Sequence, residues 1–512
     1  MVTNTNRIDV SQRYRVAHYA LALLSLVIAH ALVLTHLSYN GLWIDEIYTL
    51  HAIHLPWGEM VLERLKRGHL PLYFALMKAW IGLAGTVNEV VLRLPSVAFW
   101  LLAVASYCPF ARRTHSTETA TLALTLFALN GLALRQAVEA RMYDLVLLAG
   151  VWLARSYLTL LERPHQRRWK NAFVLIALAG FFVSSSLSFL LGALLYDAWR
   201  RRRTAPHLLR LLIVTWLIIA AVSVVPTLLH VSSRDRTEIA HVPPAALFLH
   251  LNTFFSGVIG VDDYYALGPF LRAVVACGAI LTVWLLWKLW NLRRSLPMPV
   301  EVAARVSLLP LAVMVATWLL DEATELGIAV HGPARYLISL LPFASLLVAW
   351  LLEQACPTRK RLLVVHSMIA LLLLCDAVGA MRIRVESPRE LLQFRLANRY
   401  QTGDAVVVVP DQAKEAVELY APNAKVEMTF NRALTDETTL RQRLLLFADR
   451  ERLFLVWLHG KQSPAVQVAD SLFGQGISSS PKSRRGERRI FLYYPRKTLN
   501  QVSETRPISA SE

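Results

Sequence analysis

The stretch "AHYALALLSLVIAHALVLTHL", residues 17–37, is long and apolar enough to cross a lipid bilayer, which takes about 20 such residues. It is too long for the apolar part of a cleaved signal peptide, and its flanks are too polar. The whole chain is similar: 55% of its 512 residues are hydrophobic, 18% are charged, and the mean hydropathy is +0.42. Soluble domains are roughly a quarter charged. The sequence therefore predicts a mainly α-helical, polytopic membrane protein.

The basic residues form short clusters between the apolar runs, and this pattern predicts the orientation. Cytoplasmic loops of membrane proteins carry an excess of Lys and Arg. The net charge of +18 is spread over these clusters and does not indicate a nucleic-acid-binding face, so no nucleic-acid partner is expected. We place on the cytoplasmic side the N-terminus, with Arg7, Arg13 and Arg15, and the clusters Arg112–Arg113, 163–170, 200–203, Arg293–Arg294 and 359–361.

These clusters can all be cytoplasmic only if an even number of spans separates each from the next. Counting residues 71–85 as a span would put Arg112–Arg113 outside; this segment is also short and carries Lys78. We therefore predict that 71–85 and the more polar 57–68 are interfacial helices in the first outer loop. About eleven spans remain: 17–38, 91–111, 118–135, 143–161, 171–184, 186–199, 208–230, 267–290, 304–320, 335–352 and 361–381.

The character of the chain changes after residue 381. We predict a transmembrane module at 1–381, a small periplasmic α/β domain at 382–497, and a polar, disordered tail at 498–512. Within the domain, the apolar patterns predict strands at 404–410, 425–430, 452–460 and 488–495 and a helix at 412–421. The four cysteines, which lack metal-ligand spacing and are expected in the core, are Cys108, Cys277, Cys356 and Cys375.

An unusual carboxylate pair follows the first span. In "GLWIDEIYTLH", residues 41–51, Asp45 and Glu46 lie among aromatic and aliphatic residues and, by the span count, face outward at membrane depth. On spacing alone, a solvated pair or an Asp that caps a helix N-terminus would explain them. Ionisable side chains at this depth cost free energy, however, and therefore suggest a function.

Other outward segments place polar and aromatic side chains near the ends of spans. Singly, each has an ordinary explanation, since arginine can extend to the interface and histidine is common there. Together they suggest a reaction in which a carboxylate takes a proton from a hydroxyl and arginines hold a departing lipid phosphate. They are His69 and Tyr73 in "HLPLYF", Glu139, Arg141 and Tyr143 in "VEARMYDL", and Arg335 and Tyr336 in "HGPARYL".

Five segments in order carry a family resemblance: "LWIDEIYTL", "HLPLYFALMKAW", "LRLPSVAFWLL", "EARMYDLVLL" and "ARYLISLLPFASLLVAWLL". The chain resembles the GT-C-type polyprenyl-phosphate sugar transferases, in particular a bacterial dolichyl-phosphate-mannose-protein mannosyltransferase-like group, and the lipid A aminoarabinose transferases are similar relatives. The resemblance covers about residues 17–352 and extends faintly to the C-terminal domain. The chain departs from the family pattern at His-Leu-Pro (69–71) in place of His-Pro-Pro, at Val138 in place of Gln, and at Asp144, where a small or apolar residue is expected.

The resemblance implies a mechanism: a sugar moves with inversion from an undecaprenyl-phosphate-linked donor to an acceptor hydroxyl at the periplasmic face of the inner membrane. It also implies roles, with Asp45 as base beside Glu46, a cavity lined by His69, Glu139, Arg141 and Tyr143, and a donor phosphate held by Arg335 and Tyr336. The acceptor would be a lipid, a polysaccharide or a protein. Such enzymes occur with and without a divalent metal, so no metal or other cofactor is assigned.

Two other classes of protein remain as alternatives. A transporter or flippase of lipid-linked sugars would also use intramembrane charges. Against this class, the acids cluster at one face, and the sequence shows neither an inverted repeat nor a helix pair broken at the midplane. A non-catalytic anchor that presents residues 382–512 would not need eleven spans.

Overall fold

A computed structural model describes residues 10–114, 116–233, 251–258, 269–324, 334–382, 387–430, 436–458, 464–479 and 489–496. The chain divides into two compact units. The first contains Met1–Leu37 and Trp57–Ile383, and the second contains Ser38–Pro56 and Arg384–Glu512. Residues 38–56, which the sequence grouped with the transmembrane module, are thus part of the second unit. The predicted tail at 498–512 lies outside the described residues.

Helices make up most of the first unit. Within the described residues before the C-terminal part of the chain, fifteen α-helices have defined bounds, and α2 among them belongs to the second unit. They are α1 (Val10–His36), α2 (Ile44–His54), α3 (Trp57–Lys66), α4 (Leu72–Ala84), α5 (Glu89–Thr114), α6 (Thr117–Ala128), α7 (Gly131–Ala137), α8 (Tyr143–Glu162), α9 (Arg167–Val183), α10 (Leu187–Arg200), α11 (Pro206–Ser233), α12 (Pro269–Leu292), α13 (Met298–Thr324), α14 (Leu341–Ala355), which follows the 3₁₀ helix Ala334–Leu340, and α15 (Arg359–Arg382).

Among the described residues, seven helices are long and apolar enough to cross a membrane, and the pair α6–α7 could form an eighth span. The seven are α1, α5, α8, α11, α12, α15 and the helical stretch Arg335–Ala355. The predicted class, a polytopic helical protein, is confirmed. The predicted count of eleven is not confirmed: 171–184, 186–199 and 304–320 are helical, as α9, α10 and α13, but α9 and α10 are only 17 and 14 residues long.

A break divides the predicted span 118–135. Helices α6 and α7 meet at an angle of 51°. Asn130 holds the break: its Oδ1 accepts the Leu132 N–H at 3.0 Å, and its Nδ2 donates to the Thr253 carbonyl at 3.1 Å. The Gly131 N–H donates to the Gly257 carbonyl at 3.0 Å. Backbone groups freed inside a bilayer need such partners. The predicted span at 118–135 is therefore a bent pair of helices, which could still form one span.

An ionic network around the buried Asp197 joins α8, α10 and α13. The Asp197 carboxylate accepts hydrogen bonds from Tyr157 Oη at 2.8 Å, from Arg201 Nε at 3.0 Å and from Arg305 Nη1 at 2.9 Å. Arg201 also binds Glu301 at 2.7 Å. A buried carboxylate is tolerated when its oxygens are paired in this way. Arg201, from the basic cluster at 200–203, is thus part of the packing between helices.

The cysteines differ from the sequence expectation. All four are free thiols; Cys277 is exposed, and Cys108, Cys356 and Cys375 are half-buried. The prediction that they lie in the core is therefore wrong. An apolar residue in a membrane span can face lipid, so an apolar neighbourhood in sequence does not imply burial inside the protein.

The second unit contains a five-stranded sheet with the order β2-β1-β3-β5-β4. β1 is parallel to β2 and β3, whereas β5 is antiparallel to β3 and β4. This arrangement confirms the predicted small C-terminal sheet. Its elements are β1 (Ala405–Val409), α16 (Lys414–Tyr420), β2 (Met428–Thr429), α17 (Glu437–Leu445), β3 (Leu453–Trp457), α18 (Pro464–Phe473), β4 (Ile477–Ser479) and β5 (Arg489–Tyr493).

The adjacent interior strands β1 and β3 contribute much of the core of this unit. Every residue of β1 and β3 is buried, as expected for strands covered on both faces. Side chains from α17 and α18 pack against one face of the sheet through Leu440, Leu444, Val466 and Phe473. The sequence missed β4, which is only three residues long and carries two serines.

Candidate active site

The candidate residues lie in both compact units. The first unit contains His69, Tyr73, Glu139, Arg141, Tyr143, Arg335 and Tyr336, whereas the second contains Asp45 and Glu46.

The hairpin of α3 and α4 gathers an arginine and two other rings around Phe74. The ring of Tyr73 meets that of Phe74 edge to face at 5.5 Å, and the half-buried His69 ring lies 6.0 Å away. The guanidinium of Arg64 lies over the same ring at 5.1 Å. The backbone N–H of His69 donates to the backbone carbonyl of Arg64 at 2.9 Å, and this hydrogen bond fixes the turn between the helices. The hairpin therefore brings His69 and Tyr73 beside Arg64.

Arg64 is a fully buried cation. Its Nε binds Glu63, which also binds Arg67, so one carboxylate serves two arginines. Burial lowers the pKa of Arg64, Glu63 opposes this shift, and the charges of Arg67 and Arg141 lower the pKa further. Within the described chain, Arg64 Nη2 has no hydrogen-bond partner. A buried, incompletely paired guanidinium costs free energy and can stabilise an anion.

The turn between α7 and α8 carries Glu139 and Arg141, and both are buried. Ser96, on α5, fixes this turn: its hydroxyl donates to the Glu139 carbonyl at 2.7 Å and to the Arg141 carbonyl at 3.3 Å. The Glu139 carboxylate accepts from Arg135 and Gln136, each at 3.3 Å. Arg141 is close enough to Arg64 for its charge to lower the pKa of Arg64, which links this turn to the α3–α4 hairpin.

Arg335 and Tyr336 lie beside Tyr143 in the structure. The Arg335 guanidinium lies 5.5 Å from the centre of the Tyr143 ring, and the rings of Tyr143 and Tyr336 are 6.1 Å apart. Gly150 allows this arrangement, because a Cβ there would lie 2.7 Å from the Ser339 carbonyl oxygen. Helix α8 can therefore lie against the 3₁₀ helix at 334–340. Half-buried Arg335 is held over aromatic faces, a geometry that suits guanidinium.

Asp144 is one of the three departures from the family pattern, and its side chain is completely buried at the start of α8. Its two carboxyl oxygens have no hydrogen-bond partner among the residues that the structure describes, and Glu139 is close enough to interact with its charge. A carboxyl group in such a place is expensive unless it is neutral or meets a cation. Asp144 therefore belongs to the polar cluster around Glu139 and Arg141.

In the second unit, helix α2 places the two adjacent acids in different surroundings. Glu46 is buried, and its Oε2 accepts the Trp43 N–H at 3.2 Å at the start of the helix. Asp45 is half-buried, and its carbonyl oxygen accepts from Thr49 Oγ1 at 3.2 Å. Successive helix residues point in different directions, which explains the difference. Glu46 stabilises the start of α2, and Asp45 is the more accessible acid.

Two residues of these clusters escaped the sequence analysis. Arg64 was part of a helix that appeared simply polar, and no local pattern distinguishes a buried arginine from an interfacial one. Ser96 lies in "LRLPSVAFWLL", one of the five segments that carry the family resemblance, but the sequence assigned no role to this serine. As for metals, the described residues contain no group of three or more His, Cys, Asp or Glu side chains that could hold an ion.

Comparison with solved structures identifies the class of fold. ArnT from Cupriavidus metallidurans in the apo state matches with a TM-score of 0.56 and 13% identity over 92% of this chain and 98% of that one. The same protein bound to undecaprenyl phosphate matches with the same TM-score and identity, over 92% and 97%. The oligosaccharyltransferase AglB from Archaeoglobus fulgidus, in complex with an inhibitory peptide and a dolichol-phosphate, gives a TM-score of 0.43 at 12% identity, over 96% and 75%.

The chain thus has a GT-C-type fold. More specifically, it has the fold of ArnT, a lipid A aminoarabinose transferase, and the resemblance stated from sequence is confirmed at the level of the fold. No family model and no curated protein sequence matches the chain.

Proposed function

We propose that this protein is a membrane glycosyltransferase that moves a sugar from a polyprenyl-phosphate-linked donor to an acceptor hydroxyl. The observation that carries the proposal is the likeness to ArnT, which extends over nearly the whole of both chains and includes a structure with bound undecaprenyl phosphate. A fold alone does not define an activity, so the chemistry has to come from the site.

The first unit offers what a lipid phosphate needs. Arg64 and Arg141 are buried cations within electrostatic range of each other, and Arg335 lies over two tyrosine rings. Guanidinium groups bind phosphate oxygens bidentately and stabilise the charge that develops as the phosphate leaves. Tyr336 and Tyr143 would fix the direction of Arg335. His69 and Tyr73 would line the cavity that receives the lipid phosphate.

The proposed reaction is a single displacement. The acceptor hydroxyl attacks the anomeric carbon, the bond from that carbon to the phosphate oxygen breaks, and the hydroxyl proton goes to Asp45. Attack opposite the leaving group inverts the anomeric centre. Phosphate leaves without a proton, so the mechanism requires one general base and no general acid.

We further propose an inner-membrane location, a cytoplasmic N-terminus and a periplasmic site and C-terminal domain. The positive clusters support this orientation. The acceptor would be a lipid, a polysaccharide or a protein, and donor and protein would meet within the surrounding membrane lipids. The broken pair α6–α7 is a feature that transporters also use, so the experiment has to separate transfer from transport.

The test begins with mass spectrometry of envelope glycans and lipids from cells with and without the gene, which identifies the missing product. Purified protein is then given a polyprenyl-phosphate sugar and an acceptor extract, and the glycosylated product and released polyprenyl phosphate are measured. Asp45→Asn keeps the shape but removes the base, so the rate should fall about 10²–10⁴-fold.

The controls are equal membrane insertion of both proteins and Glu46→Gln, which should retain most activity. Movement of the lipid-linked sugar across vesicles without any glycosylated product, already in the wild type, would favour a transporter. Full activity of Asp45→Asn would remove Asp45 from the mechanism.

A further inference from the structure

The helix that carries Asp45 belongs structurally to the unit that contains the C-terminal part of the chain. In sequence, α2 lies between α1 and α3, both in the first unit. The chain nevertheless leaves that unit after Leu37 and returns to it at Trp57, and Ser38–Pro56 forms one compact unit with residues from Arg384 onward. Several contacts within the second unit support this arrangement.

Arg389 holds the segment that leads into α2. Its Nη1 donates to the Ser38 carbonyl and its Nη2 to the Tyr39 carbonyl, each at 3.0 Å. Gly41 packs tightly beside it: a Cβ there would lie 2.3 Å from Ser387 Oγ and 2.6 Å from Arg389 Cβ. Distances under 3 Å leave no room for a side chain, so glycine is required for this close approach.

Two further contacts hold the helix itself. The Leu42 N–H, which is buried just before α2 begins, donates to the Tyr420 hydroxyl at 2.7 Å. Near the other end, His51 Nδ1 and Glu415 Oε1 are 2.8 Å apart, and these side chains are only 16% and 11% exposed. Helix α16, which carries both partners, packs against α2.

We propose that the part of the second unit from Arg384 onward, here called the C-terminal unit, positions the catalytic base. Its residues Arg389, Glu415 and Tyr420 hold α2 so that Asp45 keeps a fixed direction. The inference rests on the proposed role of Asp45 and gives the C-terminal unit a function in catalysis. A misplacement of about 1 Å can cost roughly 100-fold in rate, so a helix that carries a base needs rigid support. The three residues are positioning residues, since they act through α2.

The first measurement is hydrogen–deuterium exchange of residues 38–54 in the full-length protein. Arg389→Ala should accelerate amide exchange there. The segment loses the two hydrogen bonds that hold its backbone carbonyls and therefore opens more often. Arg450→Ala is the matched control: Arg450 donates to the Gly403 carbonyl at 3.0 Å and to Glu427 at 2.9 Å, and none of these lies in residues 38–56. Unchanged exchange in Arg389→Ala, or an equal rise in Arg450→Ala, would overturn the proposal.

The second measurement is kinetic. Arg389→Ala should lower kcat about 10- to 100-fold with little change in the KM for the donor, and Arg389→Lys should recover part of the loss. In an Asp45→Asn background, Arg389→Ala should cause little further loss, because the base that it positions is already gone. A full additional loss would mean general destabilisation and would contradict the proposal.

These outcomes separate this inference from the proposed function. An inactive wild type would overturn the transferase function, and the exchange experiment would still show whether the C-terminal unit holds α2. Active wild type with faster exchange but unchanged kcat in Arg389→Ala would overturn the positioning role alone.

Discussion

At the scale of single residues, the arginines of the first unit differ in what surrounds them. Arg335 rests on aromatic faces, whereas Arg64 is enclosed and shares Glu63 with Arg67. The sequence could point to Arg335 and Tyr143 because each lies in a recognisable motif at the end of a span. It could not point to Arg64, whose burial depends on the packing of α3 against other helices. Local patterns report the type of a residue, whereas burial is a property of the fold.

Arg335 provides the residue-scale prediction. Arg335→Ala should lower kcat/KM for the donor about 10- to 100-fold, the equivalent of roughly 1.5–3 kcal/mol for a lost charge-assisted hydrogen bond. Arg335→Lys should recover only part of this, since a lysine neither stacks on Tyr143 and Tyr336 in the same way nor forms a bidentate contact. Steady-state kinetics over a range of donor concentrations would measure both.

Arg293 supplies the matched control for that experiment. It also lies over an aromatic ring, that of Trp290 at 3.9 Å, but it is outside the candidate site. Arg293→Ala should therefore leave the kinetics unchanged. Equal kinetics for Arg335→Ala and the wild type would move the donor site away from Arg335.

At the scale of elements, the sequence identified helices better than it identified breaks. Hydropathy predicted eleven segments, and each corresponds to a helix in the structure or, at 118–135, to a bent pair of helices, because apolar runs in a membrane protein form helices. The bend at Asn130 and Gly131 was missed, since the apolar pattern continues through it and the partners that stabilise it come from 251–258. The pairing of α2 with α16 was likewise invisible, because it joins segments more than 300 residues apart.

Helix α2 gives the element-scale prediction. Glu46→Gln retains an oxygen that can accept the Trp43 N–H, so both the helix and the activity should be largely preserved. Glu46→Ala removes the acceptor at a buried helix start and should destabilise α2 by about 1 kcal/mol. Hydrogen–deuterium exchange at 43–50 together with kcat would report both effects.

A different outcome would assign Glu46 another role. If Glu46→Gln lost as much activity as Asp45→Asn while exchange at 43–50 stayed unchanged, Glu46 would take part in the reaction through its charge. The role of Glu46 at the start of the helix would then be secondary.

At the scale of the whole molecule, the orientation of the chain in the membrane depends on which helices cross it. α4 has 13 residues and is about 20 Å long at 1.5 Å per residue, too short for a hydrocarbon core of about 30 Å. α9 and α10 are also short, but they are consecutive and joined by a turn at Ser184–Ser186, where the two serine hydroxyls lie 2.9 Å apart. Removing this pair from the count would leave the orientation of every later helix unchanged, whereas adding α4 would invert it.

Reporter fusions therefore provide the last prediction. Fusions near residue 84 and after residue 385 should be periplasmic, and a fusion near 114 should be cytoplasmic, because α4 does not cross and the basic clusters stay inside. A fusion at 185 decides the α9–α10 pair: a periplasmic signal means that both helices cross, and a cytoplasmic signal means that they form a hairpin that does not. A cytoplasmic signal at 84 combined with a periplasmic signal at 114 would show that α4 crosses after all. That result would place the Arg112–Arg113 cluster outside and contradict the positive-inside argument on which the orientation of the site depends.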